Sequence, residues 1–126
     1  MKPSAFDYHR PESLAEAVEV LGRLDDEGRI LAGGQSLVPL MNFRLAQPTH
    51  VVDINRLGEL AYVRAENGTV RIGALARQSA VESDPAVAER LPLLREALSF
   101  VAHPPIRHRG TLVGSVAHAD PAAELP

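Results

Sequence analysis

Two adjacent glycines in RILAGGQSLVPL, Arg29 to Leu40, constrain this chain more tightly than any other feature. They interrupt what would otherwise be one apolar run. Glycine lacks Cβ and reaches φ > 0 without strain, so either the chain turns there or something comes close to its backbone. An apolar strand ahead of Gly33-Gly34, with Ser36 opening a short helix behind them, would present successive backbone N–H groups. Donors in that arrangement suit a phosphate. Gln35 and Ser36 would add side-chain donors. A bare strand-to-helix turn explains the pair equally well, because neither GxGxxG nor GxxxxGKS/T occurs in the chain.

Composition narrows the classes. At 126 residues, 45% hydrophobic and 23% charged, the chain is one domain's worth of globular sequence, not a disordered segment. A net charge of −3 argues against nucleic acid as the partner. With no cysteine, this chain can neither form disulfides nor ligate an iron–sulfur cluster through thiolates. MKPSAFDYHRPESL carries charges and prolines where a signal peptide needs an apolar run, and no apolar stretch approaches the ~20 residues of a membrane span. The expected location is cytoplasmic.

Along the chain, Ser13 and Glu16 form a capping-box pattern. Leu14, Ala17, Val18 and Leu21 follow at helical spacing. Arg29–Ala32 reads as a short buried strand, Ser36 as the N-cap of a helix through Met41, and Thr49–Ile54 as a further strand. In the second half, Leu60–Arg64 and Thr69–Ile72 flank Asn67-Gly68, a strong hairpin signal. Ser79–Val87 and Glu89–Val101 read as helices, with Leu91, Leu94, Leu98 and Val101 on one face. Thr111–Ala117 is a small-residue, β-branched run. A boundary near Gly58 is expected to divide an α/β subdomain, 1–57, from a second subdomain, 58–126.

RGTLVGSVAHADPAAELP, Arg109 to Pro126, repeats the combination of glycines and hydroxyls, with Thr111, Gly114 and Ser115, then adds His118, Asp120 and Glu124. Two such loops raise the odds of one phosphate-bearing ligand. The spacing of His118, Asp120 and Glu124 fixes no single face and Pro121 interrupts it, so polar loop residues are expected there and not a metal site. Ser36 has no neighbouring base and is no nucleophile. His103, Arg107, His108 and Arg109 form a basic cluster without an aromatic platform, which fits a solvated loop or a contact with a partner subunit.

FDYHRPESLAEAVEVL, AGGQSLVPLMNFRLAQPTHVVDI and IRHRGTLVGSVAHADPAAELP together resemble the N-terminal half of the FAD-binding medium subunit of molybdenum hydroxylases, the carbon monoxide dehydrogenase and xanthine dehydrogenase kind. The resemblance covers essentially the whole chain. It implies an α+β fold of the vanillyl-alcohol-oxidase type, with two subdomains clamping FAD. It assigns the diphosphate to Ala32, Gly33, Gly34, Gln35 and Ser36, with Leu37 following, and further contacts to Thr111, Gly114 and Ser115. Glu124 falls where an acidic residue approaches the flavin's sugar-alcohol chain, Asp120 lies in the same loop, and Val101 matches an apolar position near the ring. No residue is implied as a catalytic acid or base, and no metal ligand is implied on this chain.

Two positions depart from the family pattern. Val113 stands where a second glycine is usual, which predicts either an ordinary β conformation for that loop or weaker cofactor binding, and His108 stands where asparagine is common. Family members also continue well beyond this motif, so the chain is expected to be a fragment with an incomplete second subdomain. The resemblance implies an oxidoreductase subunit that passes electrons from a partner's iron–sulfur clusters through FAD to NAD, oxygen or a quinone. A large subunit would carry the molybdenum cofactor and a small subunit the clusters. The other readings are a different vanillyl-alcohol-oxidase-like flavoprotein and a degenerate interaction module without cofactor.

Overall fold

The computed structural model describes residues 1–125; Pro126, the last residue of the second glycine-containing motif, lies outside them. The chain divides into two compact units, Met1–Gly58 and Glu59–Pro126.

The first unit is built on a parallel sheet of β1 (Asp7–His9), β2 (Gly28–Leu31) and β3 (His50–Asp53), in the order β1-β3-β2. Val51 faces Tyr8 on one side and Arg29 on the other. The central strand is the buried one: Val51 and Val52 are fully enclosed, as is Leu57 beyond it, and Ile54 is buried. β2 lies at an edge, so Arg29 and Ile30 face solvent and the expected buried strand is only half-buried. Helix α1 (Leu14–Leu24) begins at the expected Ser13 cap, but the returning bond of Glu16 goes to the residue before it and not to Ser13 itself. Ser13 Oγ accepts from Glu16 N–H at 3.2 Å, while the Glu16 carboxylate takes Glu12 N–H at 2.8 Å. Apolar residues occupy two overlapping stripes on this helix, and packing against β3 selects Ala17 and Val20 for burial. Leu14 and Val18 are left exposed.

Helix α2 (Leu37–Asn42) follows the glycine pair, but Ser36 does not cap it. Its backbone is already helical (φ −101°, ψ −50°), so the hydroxyl is not presented to the first turn as an extended cap residue would present it.

The second unit opens with a hairpin, β4 (Val63–Glu66) and β5 (Thr69–Ile72). Asn67 at φ 49° and Gly68 at φ 78° supply the two left-handed residues of a type I′ turn. Gly73 is buried behind β5, and a Cβ there would overlap the Leu60 carbonyl oxygen. The helical stretch holds three helices, not two: α3 (Gln78–Ser83), α4 (Pro85–Arg90) and α5 (Pro92–Phe100). Proline favours a first-turn position, so Pro85 and Pro92 each start a new helix. The Asp84 carboxylate caps α4, accepting from Ala86 N–H at 2.9 Å and Val87 N–H at 3.1 Å. Ala76, Val81, Val87, Leu98 and Val101 form the core, with Leu94 against it; Leu91 falls at the α4–α5 junction and is partly exposed.

Two further helices close the unit, α6 (Pro104–Arg109) and α7 (Leu112–His118). The β-branched run from Thr111 is therefore helical. Thr111 Oγ1 accepts from Gly114 N–H at 3.1 Å and caps α7, an effect that outweighs the weak β preference of two valines. Among the described residues no helix is long and apolar enough to cross a membrane.

Gly73→Ala should lower stability by about 2 kcal/mol or more, since the new methyl has backbone in its way. Gly58→Ala, which meets nothing within 4 Å, is the matched comparison. Urea denaturation of both variants checks this.

Candidate functional site

The glycine loop leaves the carboxyl end of edge strand β2 and enters α2. Gly34 sits at φ 72°, and a Cβ there would lie 3.1 Å from Leu31 Cδ1 and 3.2 Å from Val38 Cγ2. The turn alone thus demands glycine at 34. It does not explain the donors. Among the described residues, the backbone N–H groups of Gly33, Gly34, Gln35, Ser36 and Leu37 donate to no acceptor within the chain. Residues 32–35 are half-buried, and the Gln35 side chain donates to Gly33 O at 3.1 Å. Five successive unpaired donors with no carboxylate bonded among them match the oxygens of a diphosphate.

Asn55, which the residue pattern does not single out, supports this loop. Its Nδ2 donates to Ala32 O at 2.8 Å and to Asp53 Oδ1 at 2.7 Å, with Leu31 O at 3.4 Å. Asp53 Oδ1 also takes Asn55 N–H at 2.9 Å, and Asp53 Oδ2 accepts from the Tyr8 hydroxyl. The available signal was Asp-x-Asn at the end of a strand, an Asx-turn pattern. Partial burial is the largest influence on Asp53 and pushes its carboxyl up. The bonds from Tyr8 and Asn55, with the Arg10 charge, outweigh it and hold the group below its ordinary value. The bond to Asp53 pushes the Tyr8 phenol up.

In the second unit the 110–112 segment pairs with 76–78. Gln78 N–H donates to Gly110 O at 2.9 Å, Leu112 N–H to Ala76 O at 3.3 Å, and Arg77 Nη1 to Arg109 O at 2.6 Å. Gly110 has no room for a side chain, because a Cβ would lie 2.7 Å from the buried Gln78 Oε1. Gly114 has none either, its Cβ position falling 2.5 Å from Thr111 Oγ1. Val113 is accommodated as an ordinary helical residue of α7, which corrects the β conformation expected for it.

Thr111, Gly114 and Ser115 therefore share the first turn of α7, with Thr111 itself buried. Thr111 and Val113 N–H donate to no acceptor among the described residues. Asp120 and Glu124 lie exposed beyond the helix, where Asp120 Oδ1 accepts from Ala122 N–H at 2.9 Å. Val101 is elsewhere: its side chain belongs to the core and its carbonyl accepts from Arg107 Nη1 at 2.9 Å. The basic cluster is partly spoken for, since Arg107 also pairs with Glu82 at 2.9 Å. Among the described residues no group of three His, Cys, Asp or Glu side chains is placed to hold a metal.

The family model described as "FAD binding domain in molybdopterin dehydrogenase" matches residues 4–126. The chain belongs to this family. It is 49% identical over all 126 residues to the 6-hydroxypseudooxynicotine dehydrogenase complex subunit alpha of Paenarthrobacter nicotinovorans, of which it covers 43%. It is 48% identical to the carbon monoxide dehydrogenase medium chain of Hydrogenophaga pseudoflava, of which it covers 44%. Among solved structures, carbon monoxide dehydrogenase from Hydrogenophaga pseudoflava superposes with a TM-score of 0.91 at 50% identity, over 96% of this chain and 42% of that one. Quinoline 2-oxidoreductase from Pseudomonas putida 86 gives 0.93 at 45% identity, over 100% and 44%. The chain thus spans less than half the length of the relatives it matches. The α+β fragment and its place among molybdenum hydroxylase medium subunits agree with the resemblance carried by the three quoted motifs.

Gly34→Ala should cost about 1–2 kcal/mol, from the left-handed backbone and the two tight contacts, as read by thermal unfolding. Asp53 contributes stability above its unfolded-state value of 3.8, and the contribution is lost as pH falls through the lower folded-state value. Melting curves taken downward from about pH 5 should therefore fall more steeply for the parent than for Asp53→Asn.

Proposed function

We propose that this chain binds FAD and belongs to the flavin subunit of a molybdenum hydroxylase complex. The observation that carries the reading is the run of five unpaired N–H groups at the glycine loop, in a chain the family model matches from residue 4 onward. Gly33 to Leu37 would donate to the diphosphate oxygens, with Ala32 holding the start of the loop. Thr111 and Ser115, on the turn that requires Gly114, would donate to the cofactor from their hydroxyls and from the free N–H of Thr111 and Val113. Asp120 and Glu124 would accept from sugar-alcohol hydroxyls. Val101 would act through the core that supports this region, because its side chain is enclosed.

When bound, FAD supplies the redox chemistry, receiving electrons from iron–sulfur clusters on a small partner subunit and releasing them to NAD, oxygen or a quinone. Substrate oxidation would belong to the molybdenum centre of a large partner subunit. This chain contributes position and a neutral, donor-rich surface for the phosphates. No side chain is required as acid or base. The alternative, a cofactor-free interaction module, would take Val113 and the shortness of the chain as its signs; of these, Val113 has an ordinary helical place in α7.

The test is to purify the full chain, record its visible spectrum, then denature it and identify the released cofactor by chromatography. Stoichiometric FAD is the expected result. A colourless protein that takes up no FAD on reconstitution overturns the reading.

A further inference from the structure

Ala32 O lies three residues before Gln35 N–H, and Gly34 between them has the positive φ that the third position of a type II turn requires. A turn of that kind ordinarily closes with a hydrogen bond from the fourth residue's N–H to the first residue's carbonyl. Here that bond is absent among the described residues, and Ala32 O instead accepts from Asn55 Nδ2 at 2.8 Å. The Gln35 N–H, for its part, is unpaired among the described residues. Asn55 is in turn held on both sides of its Cα. Asp53 Oδ1 accepts from its backbone N–H and from its side-chain amide, and the remaining Asp53 oxygen is anchored by Tyr8. The network links residues at or just beyond the carboxyl ends of parallel strands β2 and β3 with Tyr8 of β1, the end of a parallel sheet at which ligands commonly sit.

We propose that Asn55 is a positioning residue for the glycine loop, holding the Ala32 carbonyl toward its own amide so that the loop stays open and its N–H groups remain available to a diphosphate. The proposal rests on the FAD reading for its ligand, but its structural half stands apart from it. With the amide removed, nothing holds the Ala32 carbonyl in this orientation, and the loop can close on itself through Gln35 N–H at the expense of a phosphate donor. Asn55 would act through Ala32, whose carbonyl it holds.

The test compares the parent chain with Asn55→Ala and with Ser13→Ala, which loses the cap of α1 and lowers stability without touching the loop. FAD is titrated by flavin fluorescence, and exchange of the Gln35 amide is followed by NMR without ligand. Asn55→Ala should weaken FAD binding about tenfold and slow Gln35 exchange, while Ser13→Ala changes neither. Unchanged FAD affinity in Asn55→Ala, or Gln35 exchange as fast as in the parent, overturns the proposal. If the parent itself binds no FAD, the functional reading fails, and Gln35 exchange alone then decides the role of Asn55. Asn55→Leu, of similar size, uncharged and without a donor, serves the same comparison should Asn55→Ala fail to fold.

Discussion

A backbone N–H taken out of water must find an acceptor, and each unit of this chain is organised around how that demand is met. Where regular structure meets it, the sequence is apolar and enclosed: Val51 and Val52 in the central strand, Val81, Val87 and Leu98 among the helices. Where nothing in the chain meets it, the sequence turns to glycine and small polar residues. The loop from Gly33 to Leu37 is such a gap in the first unit, and the start of α7, with Thr111 and Val113, is a smaller one in the second. Phosphate oxygens are acceptors of the kind these gaps lack, so the functional reading follows from a deficit in local pairing, not from any reactive side chain.

Much of the architecture was legible in short patterns whose physics is local. Asn67-Gly68 fixes its turn because few residues tolerate two successive left-handed conformations. Ser13 and Glu16 start α1, and Pro85 and Pro92 punctuate the helical stretch. Choices made by the rest of the fold were not legible. Which stripe of α1 is buried depends on β3, and the edge position of β2 exposes residues that hydrophobicity alone would bury. Thr111 to Ala117 looks like a strand by composition and is a helix because of one hydroxyl cap.

The candidate site divides along the same line. Its glycines could be found from sequence, yet two of the reasons for them are internal: Gly34 satisfies a turn and Gly114 makes room for the Thr111 cap. Asn55 could not be ranked from sequence, since its importance lies in which carbonyl it occupies, a fact of tertiary structure. Val101, matched to the ring by resemblance, is a core residue in its own unit. A motif records that a position is restricted; the structure separates restriction by the ligand from restriction by the neighbouring chain.

The order β1-β3-β2 has a consequence for synthesis. The two outer strands of the first unit are not neighbours, and each pairs only with the strand made last. Until His50–Asp53 has left the ribosome, neither β1 nor β2 has an edge to join, so the sheet assembles in one late event. The glycine loop acquires its Asn55 support in that same event. A nascent chain stalled earlier would carry α1 with unpaired extended segments on either side, the form of this unit most open to capture by chaperones or to association with other unfinished chains.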